Sequence, residues 1–137
     1  TSTQVLDCDF EPGFCQWSQV TTDKLDWSRE KGPTSTPGTG PSTDHTSGVG
    51  FYAYLETSNG ASGDTAELRS PTMSVNGHQS CLQFYYHMFG PNVADLYVYR
   101  VKNNGTGSRS SVWHKNGDQG DKWNLATVKL STGSNFV

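Results

Sequence analysis

Apolar and polar residues alternate along much of this chain. In the run 81–89, Leu82, Phe84, Tyr86 and Met88 fall on one parity, with Cys81, Gln83, Tyr85 and His87 on the other. In the next run Ala94, Leu96 and Val98 share one face, while Tyr97, Tyr99 and Val101 share the opposite one. Near the end Ala126, Val128 and Leu130 line up in the same way. A period of two marks strands with one face on a core, and β-branched and aromatic residues suit such half-buried pleated surfaces. The pattern predicts strands over residues 16–21, 51–57, 65–69, 81–89, 94–102, 110–115 and 123–130. Gly, Pro, Asn and Asp separate them, and no helical period of useful length occurs. Many short strands with regular turn signals predict an all-β fold, a two-sheet antiparallel sandwich.

Residues 32–50 break the alternation. Gly32-Pro33, Pro37-Gly38-Thr39-Gly40-Pro41 and Gly48 make this stretch too polar and too interrupted for a strand. It reads as a long, partly ordered surface loop, a class that tends to be functional or flexible. Neither a repeat nor a linker divides the chain, so residues 1–137 read as a single domain. Only 32% of residues are hydrophobic but 12% are aromatic, so the core has to be built mainly from Phe, Tyr and Trp. That richness in rings also argues against disorder. A net charge of −3 without any basic block argues against nucleic-acid binding. No apolar run approaches the ~20 residues needed to cross a membrane, and any signal peptide is expected to have been removed already. The apolar end Asn135-Phe136-Val137 reads as a cut within a strand.

Cysteine placement sets the compartment. In Cys8-Asp9-Phe10-Glu11-Pro12-Gly13-Phe14-Cys15 the Pro-Gly pair reverses the chain and brings the two cysteines within disulfide reach. A secreted or cell-surface module is expected; a cytosolic chain with reduced thiols is the competing reading. Cys81 is then left over, as an intermolecular link, a free thiol or the partner of a missing segment. Asn104-Gly105-Thr106 is a sequon on a turn-like run, so Asn104 is a candidate glycan acceptor.

Candidate chemistry is sparse. Asp9 and Glu11, alternate residues in the constrained segment, and Asp44 at the end of the long loop offer the hard oxygens that calcium prefers. The competing reading makes all three solvated carboxylates and turn caps. His45, His78, His87 and His114 lack zinc-site spacing, and His87 reads as a half-exposed strand residue. No nucleophile elbow, metalloprotease helix or phosphate loop occurs, so an enzyme is not expected. Trp17, Trp27, Trp113 and Trp123 suit core packing better than a sugar-stacking platform.

The order of these motifs resembles the MAM domain, an extracellular module of meprins, neuropilins and receptor tyrosine phosphatases. The resembling segments are Cys8-Asp9-Phe10-Glu11 with Phe14-Cys15-Gln16-Trp17, then Asp26-Trp27, Asp44-His45-Thr46 and Gly50-Phe51-Tyr52-Ala53-Tyr54-Leu55-Glu56. Ala66-Glu67-Leu68-Arg69-Ser70-Pro71, Cys81 to Gly90 and Gly117 to Trp123 follow in register. The resemblance covers the chain from about Leu6 to Leu130. It implies a jelly-roll-like sandwich, a Cys8–Cys15 disulfide, and a fourth cysteine for Cys81 in C-terminal strands that this chain lacks. Carried over residue by residue, it makes Asp9, Glu11 and Asp44 the candidate ligands of a structural calcium ion.

The function so implied is a noncatalytic extracellular adhesion module of a secreted or membrane protein, C-terminally incomplete here. Its partner would be protein, through homophilic binding or receptor dimerisation, without nucleic acid or direct membrane insertion. A carbohydrate-binding jelly roll, using calcium or aromatic rings, is the first alternative. A passive spacer in a larger ectodomain is the second.

Overall fold

The computed structural model describes residues 7–57, 60–71, 73–75, 80–101, 108–130 and 133–136. Among these the regular structure is entirely β. In chain order the strands are β1 (Ser18–Gln19), β2 (Ser28–Lys31), β3 (Phe51–Tyr54), β4 (Leu68–Arg69), β5 (Met73–Val75), β6 (Ser80–Tyr86), β7 (Asp95–Val101), β8 (Arg109–Asn116), β9 (Asn124–Leu130) and β10 (Gly133–Phe136). They pair antiparallel as β1–β4, β2–β3, β5–β10, β6–β9 and β7–β8. No helix of the described residues is long and apolar enough to cross a membrane.

Two of these pairs build the core. In β6–β9 the register sets Leu82 opposite Val128 and Phe84 opposite Ala126, the parity the alternation predicts. Ala126, Val128, Leu130 and Tyr86 are buried, while Tyr85 and Leu125 on the other parity are exposed. The inner face of β7–β8 covers this layer. Trp113 of β8 touches both halves of the core, with its ring centroid 5.0 Å from Phe84 and 5.1 Å from Tyr86, edge to face in each case. Leu96 of β7 joins it. Burying each such side chain stabilises the fold by roughly 1.5–3 kcal/mol; against the sequence expectation, aliphatic residues such as Leu82, Leu96, Val112, Val128 and Leu130 outnumber the rings of Phe84, Tyr86 and Trp113 in this core. The architecture is the expected all-β sandwich.

Departures from the sequence reading have local causes. β2 spells Ser-Arg-Glu-Lys, which carries no apolar alternation; it is a strand because β3 supplies its ladder from Ser28–Tyr54 to Lys31–Phe51. β5 and β10 pair with each other, so the apolar terminal stretch does contain a strand. The run expected over 81–89 ends at Tyr86. Beyond it the Met88 carbonyl accepts from the Gln119 amide at 2.6 Å and the Phe89 carbonyl from Gly40 at 3.2 Å. His87 therefore is not half exposed: its side chain retains only 4% of its surface. The loop 32–50 is tied down at intervals, by the Tyr52 hydroxyl on the Gly32 carbonyl at 2.6 Å and by Trp123 Nε1 on the Thr43 carbonyl at 3.0 Å.

Candidate functional site

The N-terminal loop is closed by the Cys8–Cys15 disulfide, with Cα atoms 5.8 Å apart. Phe10 and Cys15 adopt left-handed φ values of 62° and 57°, a conformation that L-residues avoid unless the surroundings hold them there. Arg29 of β2 is one such restraint. Its Nη1 donates to the carbonyls of Phe10 at 2.8 Å and Glu11 at 2.7 Å, and its guanidinium lies 4.5 Å over the Phe51 ring. The clamp escapes sequence reading because β2 itself shows no strand pattern.

Glu11 and Asp44 are brought to the same backbone step. Glu11 Oε1 accepts from the Phe51 amide at 2.8 Å, and Asp44 Oδ1 from the Gly50 amide at 3.0 Å. Asp44 Oδ2 also accepts from the Thr46 amide at 3.1 Å, the Ser47 amide at 2.8 Å and the Ser47 hydroxyl at 3.1 Å. The Ser47 amide is the main reason its carboxyl is held at about 2, against burial that would raise it; Gly50, the Ser47 hydroxyl and Thr46 add to the effect. Asp9 does not join them. Its Oδ1 caps its own turn, accepting from the Glu11 amide at 3.1 Å. The three carboxylates expected to act together thus divide into two that bind adjacent amides, Glu11 and Asp44, and a local cap, Asp9, because left-handed Phe10 breaks the extended run between Asp9 and Glu11. Among the described residues no group of three or more His, Cys, Asp or Glu side chains gathers. The space over Gly50 is filled by Glu11: an added Cβ there would land on the Glu11 carboxylate.

Rings also gather on the outer faces of two strand pairs. On the outer face of β6–β9, Tyr85 is 47% exposed and Leu125 opposite it 54%. The His45 ring stacks on Tyr85 with centroids 3.4 Å apart. Cys81 is exposed on the same face and forms no disulfide among the described residues. On the outer face of β7–β8, His114 stacks on Tyr97 at 4.1 Å, Tyr97 on Tyr99 at 5.3 Å, and the Arg109 guanidinium lies 4.0 Å over Tyr99. Parity places Tyr97 and Tyr99 together, but the cross-strand partners His114 and Arg109 follow only from the register. Trp113 is the tryptophan of the core. Trp27 is held by Gln19 and by the Ala66 carbonyl, and Trp123 packs between Tyr52 and His87. Asn104 lies outside the described residues.

With this geometry in hand, comparison with known proteins is informative. A family model described as MAM domain, meprin/A5/mu, matches residues 8–137. The chain is 38% identical over 126 residues to human (Homo sapiens) MAM domain-containing protein 2, covering 91% of this chain and 18% of that protein. It is 35% identical over 149 residues to mouse (Mus musculus) MAM domain-containing glycosylphosphatidylinositol anchor protein 2, covering 98% and 16%. It is 34% identical over 129 residues to Neuropilin-1a of Danio rerio, covering 90% and 14%. The chain spans less than a fifth of the length of each of these relatives.

Proposed function

This chain belongs to the MAM domain family, and on that premise we propose that it is a noncatalytic extracellular interaction module that pairs with a second copy of itself. The observation that carries the reading is the outer face of β6–β9. Exposed Tyr85 and Leu125 sit directly opposite each other, and Tyr85 is already ordered by its stack on His45. Aromatic anchors dominate binding energy at interfaces, and a ring held in place before contact loses less entropy on association. The positions of that face on β6 and β9 are Cys81, Gln83, Tyr85, Leu125, Thr127 and Lys129, with Lys129 the single formal charge and at the far end. Two copies meeting around Tyr85 and Leu125 therefore bring little like charge together. A stable pair needs about 800 Å² from each copy, which requires the neighbouring loop 32–50 as well as the strands.

A structural calcium ion belongs to the same proposal. Glu11 and Asp44 would hold it through carboxylate oxygens, and the ion would neutralise the pair and rigidify the junction between the N-terminal loop and β3. It would supply no chemistry.

Light scattering across a range of protein concentrations, with and without reductant, tests the reading. The mass should climb from the 15.0 kDa of one chain toward twice that value, and Tyr85→Ala should suppress the rise. A dimer that vanishes only in reductant would assign the link to Cys81. A monomer at every concentration would overturn self-pairing in favour of a different protein partner or a spacer.

A further inference from the structure

A second surface feature lies away from the Tyr85 face. An open cleft of about 620 Å³ is lined by residues of β1 and β4, by residues 20–23, Thr65 and Glu67, and by Arg109 of β8. Its size falls within the range of small-ligand sites, roughly 300–1,000 Å³, but such sites are mostly apolar. Here the lining is Ser18, Gln19, Thr21, Thr22, Thr65 and charged side chains, with Val20 the single aliphatic residue. A partner anchored by apolar side chains, or a lipid, finds no pocket in it.

The charged groups are arranged around Glu67. Its amide donates to Asp23 Oδ2 at 2.6 Å. Its carboxylate accepts from Arg109, whose guanidinium is also spread over the Tyr99 ring. Arg69 approaches the same carboxylate, but at 3.8 Å it makes an ion pair too long for a hydrogen bond, and 39% of its side chain remains exposed. Arg69 therefore brings a guanidinium fork that Glu67 does not consume. Such forks match planar carboxylates in a bidentate way. Asp23 and Glu67 offset Arg69 and Arg109, so the lining has no net formal charge and does not draw in the dense negative charge of sulfated chains. Hydroxyls, an amide and carboxylates supply donors and acceptors in alternation, the complement of a polyhydroxyl ligand.

We propose that this cleft binds a sugar bearing one carboxylate, with Arg69 on the carboxylate and the hydroxyl-rich walls on the sugar hydroxyls. Two sources share this chemistry: the sialic acid terminus of a cell-surface glycan and the uronate of a glycosaminoglycan. The site does not depend on stacking rings, since the Tyr97–Tyr99 faces are already covered by His114, by each other and by Arg109. It is also independent of self-pairing through Tyr85.

The test is calorimetric titration of the chain with 3′-sialyllactose, with an unsulfated hyaluronan tetrasaccharide, with lactose, and with hexaglutamate. One carboxylated sugar should bind and lactose should bind at least tenfold more weakly, the difference naming the source. Arg69→Gln should weaken that sugar about tenfold or more, with Arg69→Lys intermediate. Glu67→Gln should strengthen it by removing a competing anion. Arg69→Gln should leave the melting temperature and the light-scattering mass unchanged, which separates this site from the pairing surface. Absence of binding by both carboxylated sugars at millimolar concentration, indifference to Arg69→Gln, or equal binding of hexaglutamate would each overturn the proposal, the last in favour of an acidic peptide.

Discussion

The Glu11 carboxylate accepts a hydrogen bond from the amide of Phe51, 40 residues further along the chain, at 2.8 Å. This contact joins the disulfide loop to the first residue of β3 and does so beside Asp44. Glu11→Ala is expected to lower stability by about 1 kcal/mol in chelator, the ordinary worth of one such hydrogen bond. In calcium the loss should be larger, because the variant also removes a ligand. Thermal melts of both proteins in EDTA and in millimolar calcium decide the matter. Equal melting shifts in the two buffers would remove calcium from the proposal while leaving the hydrogen bond intact.

Gly50 is required for space and not for backbone freedom. It is absent from the positive-φ glycines, yet an added Cβ would fall on the Glu11 carboxylate and 3.0 Å from the Ser47 hydroxyl. Gly50→Ala should therefore cost about 1–3 kcal/mol by overpacking. Because the displaced group is Glu11, the double variant with Glu11→Ala should lose less than the sum of the single changes. Strict additivity in denaturant titrations would show that the alanine acts elsewhere.

Asp44 predicts the acid limb of stability. Its carboxyl is held at about 2, chiefly by the Ser47 amide, with Gly50 and Thr46 adding their own amides against the effect of burial. An unfolded aspartate titrates near 3.8, so the unfolded chain takes up the proton first. The stabilisation is complete above that value and is lost as pH falls toward 2. Asp44→Asn should flatten the melting curve across that interval. An unchanged slope between pH 4 and 2 would refute the assignment.

The parts of the fold legible in the sequence are those where a side chain reports its own environment. Leu82, Phe84 and Tyr86 alternate because one face of β6 is covered, and Val128 and Leu130 do so for the same reason on β9. The Cys8–Cys15 pair was legible because the Pro-Gly turn lies inside it. What stayed hidden depends on partners distant in sequence. Arg29 on the Phe10 and Glu11 carbonyls, His114 on Tyr97, and Glu67 between Arg69 and Arg109 are products of register, which no local pattern encodes. Asp9 and Glu11 share a parity that would point them the same way in an extended chain, but the left-handed Phe10 between them breaks that extension.

Among the described residues Trp113 and Phe84 pack against both halves of the core, and the Trp113 ring meets those of Phe84 and Tyr86 edge to face. Trp113→Ala should cost about 3–5 kcal/mol, the range for deleting a large aromatic from a core. Trp123, which packs under the loop 32–50 and hydrogen-bonds the Thr43 carbonyl, provides the comparison. Its replacement by Phe should keep the denaturation midpoint closer to that of the parent while releasing the loop to proteolysis. A smaller loss for Trp113→Ala than for Trp123→Phe would contradict the two-layer packing.

His87 sets a second pH dependence. Its ring is enclosed by Phe89 and Trp123, with Nε2 3.1 Å from Asp121 Oδ1 and Nδ1 buried without a hydrogen-bond partner among the described residues. Burial lowers its affinity for a proton, and Asp121 opposes that only in part. The folded chain therefore stays neutral at His87 while the unfolded chain, with an ordinary value of 6.5, becomes protonated. Stability is greatest above that value and declines as pH falls below it, until the folded imidazole protonates in turn. His87→Gln, measured by chemical denaturation at pH 8, 7, 6 and 5, should lose the part of the decline that belongs to this ring. Asp121→Asn should steepen the decline, because the buried imidazolium then has no counter-charge. If His87→Gln retained the full slope, the enclosed ring would have no part in it.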